Sequence, residues 1–122
     1  MTQQQNRSEE TTTIRVLLCT APPEEAETLA ETLVGERLCA CVNLVPGLRS
    51  IYRWQGAIER ATETLLLCKT STELVPRLLE RLRVLHPYEV PEVLALPVVS
   101  GNPDYLAWVL AETAAGNRSR TS

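Results

Sequence analysis

The sequence predicts an α+β domain of the ferredoxin-like type, two interleaved β-α-β units in the order β-α-β-β-α-β with one further helix at the end. Three observations predict it. Apolar runs of strand length alternate with stretches whose apolar residues recur at helical spacing. Gly56 alone supplies the turn between the two middle strands, which makes them a hairpin. Each remaining pair of strands encloses one helix. No repeat or linker interrupts this order, and 122 residues suit one domain with one modest core.

Ile14 to Cys19 is a run rich in branched residues, read as the first strand, and Pro22-Pro23 ends it. Pro23 suits the first turn of a helix, where a missing N–H costs nothing. Ala26, Leu29, Ala30, Leu33 and Val34 then recur at helical spacing, with Glu24, Glu25 and Glu27 at the positive end of the dipole. Gly35 closes that helix. Cys39 to Val45 resumes as Arg49 to Gln55 after Pro46-Gly47, which reads as one long strand with a bulge or kink. Ala57 to Thr70 is the third strand. Thr72 is placed as the cap of a helix bearing Leu74, Val75, Leu78, Leu79, Leu82 and Leu85, with a Glu73–Arg77 pair on its surface and His86-Pro87 as its stop. Glu92 to Val99 is the fourth strand, with Pro97 marking an edge or a bulge. Asn102-Pro103-Asp104 opens the last helix. Residues 1–13 and 116–122 are polar and aperiodic, and are expected to be disordered tails around a domain spanning 14–115.

Composition narrows the function. Hydrophobic residues make up 44% and charged residues 22%, a globular balance, and phenylalanine is absent, so the core is aliphatic. A net charge of −3 argues against nucleic acid or an anionic membrane as partner. No apolar stretch reaches membrane-helix length, and Met1 to Thr13 lacks the apolar core of a secretory signal, so a cytoplasmic location is expected. Cys19, Cys39, Cys41 and Cys68 lie in or beside apolar runs and are expected to be reduced thiols. No nucleophile with a base partner, phosphate loop or dinucleotide fingerprint occurs, which points away from an enzyme. Leu65-Leu66-Leu67 and Leu94-Ala95-Leu96 put apolar groups on both faces of the sheet, while the helices cover one. The uncovered face then needs copies of the same chain.

A few residues are able to carry chemistry. His86 begins HPYEVPE (86–92), a stiff loop that presents His86, Tyr88 and Glu89 together, either as a ligand site or as a helix stop and staple. Cys39 and Cys41 flank one residue and are expected on one strand face, as soft metal ligands or as core filler. Cys19 ends the first strand, where side chains approach the loops. Ser50, Tyr52 and Trp54 alternate on one face of the second strand, with Arg49, Arg53 and Gln55 on the other, and aromatic tips near a turn suit a pocket or an interface. Lys69 is a cation at the end of a long apolar run, which also reads as a snorkelling strand end. Tyr105 and Trp108 read as packing groups.

Taken together, LCTAP (18–22), ACVNLVPG (40–47), SIYRWQG (50–56), Glu63 with KT (69–70), HPYEVPE (86–92) and YLAW (105–108) resemble the CutA family of divalent-cation tolerance proteins, in the family's order. The resemblance implies a PII-like homotrimer of ferredoxin-like subunits in the cytoplasm. It also implies binding of copper or other divalent metal ions through Cys19 and His86, with Cys41 as a further thiol. Leu85 stands where some members have a second histidine. The alternative it implies is a small-molecule sensor or a protein scaffold. Its cleft between subunits would be lined by Tyr52, Trp54, Lys69, Tyr88 and Glu89 and would take a small anionic metabolite.

Overall fold

The computed structural model describes residues 10–113. Strand β1 (Ile14–Ala21) leads into helix α1 (Pro23–Gly35), then the long strands β2 (Cys41–Trp54) and β3 (Ala57–Ser71). A single 3-10 turn (Thr72–Leu74) opens helix α2 (Val75–Leu85), followed by β4 (Val93–Pro97) and α3 (Pro103–Glu112). The four strands form one antiparallel sheet in the order β2-β3-β1-β4. This is the ferredoxin-like α+β plan that the sequence predicts.

Local chemistry accounts for the elements. Pro23 and Pro76 each sit in the first turn of their helix, where the absent N–H breaks no bond. The bulge falls at Pro46-Gly47, where the β2–β3 register shifts between Val45 and Leu48 and Gly47 takes φ +81°. Gln55 and Gly56 both have positive φ, the two-residue turn whose twist suits a tight hairpin. Asn102 caps α3, its side chain accepting from the Asp104 N–H at 3.0 Å. Thr72 does not cap α2 as expected: it starts the 3-10 turn, and the residue before α2 makes no side-chain cap bond. Arg81 forks onto Glu36 and Arg83 onto Glu80, and a Glu73–Arg77 pair is not among the ion pairs of the described residues.

The core lies between the sheet and the α1–α2 layer. Leu17, Cys19 and Ala21 of β1 meet Leu66 and Cys68 of β3 there, under Leu29 and Leu33 of α1 and Leu78 and Leu82 of α2. Val34 and Leu79 stay exposed, because each lies at the flank of its helix's apolar stripe. The sheet's second face carries Val16, Leu18, Leu65, Leu67, Leu94 and Leu96, as the alternation from the core-facing residues requires. Helix α3 packs on β1 and β3, and Val109 is fully buried outside the main cluster, as is Ile14. The rest of that face is open: Leu94 is 54% and Leu96 41% exposed. Tyr105 and Trp108 also differ from their expected packing role, for they stack on each other at 5.6 Å and remain exposed.

The segment next to β1, expected as tail, behaves otherwise. Thr12 binds the Val98 carbonyl through both its N–H and its hydroxyl, each at 2.9 Å, and the Thr13 carbonyl accepts from the Thr72 N–H at 2.8 Å. The chain is therefore tied to the sheet from Thr12 onward. Residues 1–9 of the first tail, the last two residues of the expected domain (114–115) and the whole of the second tail (116–122) lie outside the described residues.

Candidate functional site

The end of the sheet where β1 stops, near Thr20 and Ala21, gathers most of the singled-out residues. Cys19 pairs with Val93 across β1 and β4, so the loop 86–92 arrives beside the end of β1. On the other side Ala21 pairs with Thr64, which places Glu63 next to the same end. Beyond Thr64 strand β3 has lost its β1 partner, and residues 48–63 continue as a two-stranded ribbon. Loop, ribbon and sheet end enclose a cleft of about 530 Å³, within the range of small-molecule sites. Tyr52 and Trp54 come from the ribbon, Tyr88, Glu89 and Glu92 from the loop, and Glu63 from between them.

Glu63 organises this cleft. It is 5% exposed, and its two carboxylate oxygens accept separate hydrogen bonds, from Ser50 Oγ at 2.5 Å and from the Tyr88 hydroxyl at 2.7 Å. Burial, then the bond to Glu63, then the charges of Glu63 and Glu24 among others raise the Tyr88 phenol above its usual range, which keeps it a donor. His86 sets the loop. Its Nε2 lies 2.7 Å from the Thr20 carbonyl and therefore donates, while Nδ1 accepts from the Tyr88 N–H at 3.1 Å. Its ring also packs on Tyr88 at 4.8 Å. Both nitrogens are thus committed to holding Tyr88 in place.

Cys19 is fully buried on the core side of β1, with its thiol directed at the same Thr20 carbonyl at 3.7 Å. Burial first, and then neighbouring Cys68, Glu92 and Glu63, push this thiol up to about 12. Cys19 and His86 therefore do meet, on one oxygen. Cys41 is elsewhere. It pairs with Lys69, three residues along β3 from Leu66, the partner of Cys19, and faces the side of the sheet opposite the core. Cys39 and Cys41 do not share a face as expected, because β2 begins only at Cys41. Cys39 turns into the core, where contact with Cys68 and burial raise its thiol. Lys69 is bound to Asn43 Oδ1 and has Cys41 Sγ 4.0 Å away, with Tyr105 beside that thiol. Six residues of β3, roughly 20 Å, separate it from Glu63, so it is not part of the cleft. All four cysteines are free, and no group of three metal-ligating side chains occurs among the described residues. The sequence reading puts Ser50 on the face of Tyr52 and Trp54 and singles out Glu63, but it leaves both out of the cleft, although a lone acid ahead of Leu65-Leu66-Leu67 is a visible signal.

A family model described as CutA1 divalent ion tolerance protein matches residues 15–112. The chain belongs to this family. The divalent-cation tolerance protein CutA of Thermus thermophilus is 57% identical over 99 residues, covering 80% of this chain and 96% of that one. A solved structure of a divalent cation tolerance protein from Thermus thermophilus aligns with TM-score 0.80 at 54% identity, over 83% of this chain and 99% of the other. A structure described as the PII-like protein CutA from Nostoc sp. PCC 7120 in apo form aligns with TM-score 0.78 at 40% identity, over 81% and 96%. The match to the family spans the sheet from Arg15 onward and both residues of the Glu63–Tyr88 contact.

Proposed function

We propose that this chain acts without catalysis, as a cytoplasmic homotrimer that binds a small ligand in the cleft of Tyr52, Trp54, Glu63, Tyr88 and Glu89, as a PII-like sensor does. The observation that carries this reading is Glu63, a buried carboxylate held by two hydroxyls and set in the wall of a cleft of ligand size. Burial of a charge is costly and is retained where it is used. Assembly is supported by the open sheet face and by the projecting ribbon. Ile51, Tyr52, Trp54 and Ile58 are all exposed, and two strands alone are marginal in water. Three buried thiols and one half-buried one, none in a disulfide, agree with a reducing compartment. The test is thermal shift with a panel of metabolites and divalent ions, run on wild type and Trp54→Ala. A ligand of the cleft raises the midpoint of the wild type and not of the variant, whereas equal shifts move the site elsewhere.

Copper at Cys19 and His86 is the second reading, favoured by their convergence on the Thr20 carbonyl. The donors as they stand do not suit it. Nε2 carries the proton it donates to Thr20, and the thiol loses its proton only near pH 12. A bound Cu ion has to displace both protons and find a further ligand. Copper titration decides it: Cys19→Ser and His86→Ala each abolish uptake on this reading, and Cys41→Ser tests the distant thiol.

A further inference from the structure

We infer that the ligand of this cleft is an organic cation bearing an ammonium or guanidinium group, held by Glu63 and Glu89 and by the rings of Tyr52 and Trp54. The inference rests on the proposed reading of the cleft and narrows it to a chemical class. The lining supplies three carboxylates, those of Glu63, Glu89 and Glu92, and among the described lining residues no lysine, arginine or histidine. Glu63 is the decisive member. It is nineteen-twentieths buried, and its hydroxyl partners disperse its charge without neutralising it. The ion pairs among the described residues use Glu36, Glu80 and Glu112, never Glu63. A buried charge without a counter-charge is unfavourable, and a cation entering the cleft removes that penalty.

The surroundings carry the same sign. Tyr88 feels Glu63 and Glu24, and Cys19 behind the sheet feels Glu92 and Glu63; each is shifted toward its protonated form in part by these acids. The nearby bases are not among the lining residues. Arg49 and Arg60 line an adjoining hollow that shares Ser50 and Ile51 with the cleft, and Arg53 falls on the face of Arg49 by alternation along β2. Lys69, the one base expected in the cleft, sits with Asn43 and Cys41 at the other end of β3. The charged side chains that this chain contributes to the lining are therefore all acidic, which disfavours an anionic metabolite.

Size and shape separate an organic cation from a metal ion. A metal needs several oxygens within a coordination sphere, and no three ligating side chains come together among the described residues. A volume of about 530 Å³ far exceeds one ion. Aromatic rings beside carboxylates suit a cation that is large and weakly hydrated, through cation–π attraction.

The experiment titrates the full-length protein in its native assembly with choline, cadaverine and agmatine, each to about 10 mM, which detects dissociation constants up to about 10 mM, and with citrate and Mg²⁺ as contrasts. Tryptophan fluorescence and calorimetry give the readout. At least one organic cation is expected to bind. Glu63→Gln is expected to weaken it about tenfold or more, and Trp54→Leu about 3- to 30-fold. Glu89→Gln, at an exposed position that the fold does not use, is expected to weaken it several-fold, and it keeps the test valid should the Glu63 variant fold poorly. If citrate binds and no organic cation does, the class assigned here is wrong while the cleft stands. If Mg²⁺ binds with the same dependence on Glu63 but none on Trp54, the site is a metal's. If no probe of either charge binds, or if binding ignores all three variants, the cleft reading falls together with this inference.

Discussion

Removing one hydroxyl tests how the cleft is built. Tyr88→Phe keeps the ring that packs on His86 at 4.8 Å and deletes only the donor that sits 2.7 Å from Glu63. Glu63, 5% exposed, then retains Ser50 alone. A hydrogen bond to a charged group contributes about 1.5–3 kcal/mol. Tyr88 is only partly buried, so water reaches the vacated position and the expected loss is at the lower end, about 1.5–2 kcal/mol. Urea unfolding of wild type, Tyr88→Phe, Glu63→Gln and the double variant gives the coupling between the two residues. All four are compared at one protein concentration, because the proposed assembly would make stability concentration-dependent. A coupling near 1 kcal/mol or more is expected from the direct contact. If Tyr88→Phe costs under about 0.5 kcal/mol, or if the two changes are additive, the Glu63–Tyr88 contact does not hold the loop and the reasoning fails.

Leu66→Ala, at a fully buried centre of the core, is expected to cost about 2–5 kcal/mol by urea unfolding; a loss below about 1 kcal/mol would contradict the packing described. Leu94→Glu with Leu96→Glu, on the open sheet face, is expected to shift sedimentation toward the 13.6 kDa monomer, and an unchanged assembly means that this face is not the contact. Because the folded Cys19 thiol titrates near 12, above its ordinary 9.0, it favours folding fully below pH 9 and less as pH rises toward 12. The pH 9–12 slope of stability should thus be shallower in Cys19→Ala, by up to ~4 kcal/mol over the range, and identical slopes refute the assignment. Asn102→Ala removes the α3 cap and is expected to cost about 0.5–2 kcal/mol, read from thermal unfolding.

The elements are legible in the sequence where their cause is local. Pro23, Gly35, Pro46-Gly47, Gly56 and His86-Pro87 each impose a backbone constraint on their own neighbours, and the boundaries fall at them. Facing is different, since it depends on what arrives from elsewhere. Val34 and Leu79 fit the helical period yet stay outside, because the sheet meets the middle of each stripe and leaves its flank. Strand alternation predicts Cys39 and Cys41 on one face, but it does not operate before β2 begins. Lys69 and Glu63 fall in one strand and read as equivalent polar interruptions; only the β1–β3 register reveals that one lies at the cleft and the other far from it. The aromatic and loop members of the cleft are legible because a short turn and a proline-bounded loop confine them. Glu63 shows in the sequence only as an acid ahead of Leu65-Leu66-Leu67; its hydrogen bond to Tyr88, 25 residues away, leaves no mark on periodicity.

The ribbon beyond the Pro46-Gly47 bulge has a mechanical consequence. From Leu48 to Trp54 its seven residues reach about 24 Å at the usual strand rise, with no third strand alongside. It is a lever whose fulcrum is the bulge and whose restraint on the cleft side is the bond from the Tyr88 hydroxyl to Glu63 at its base. A turn of about 10° at the fulcrum swings the tip by roughly 4 Å over that length. Tyr52 and Trp54 ride near the tip, so a small adjustment beside Glu63 is magnified at the rings and carried on to whatever the outer face of the ribbon touches.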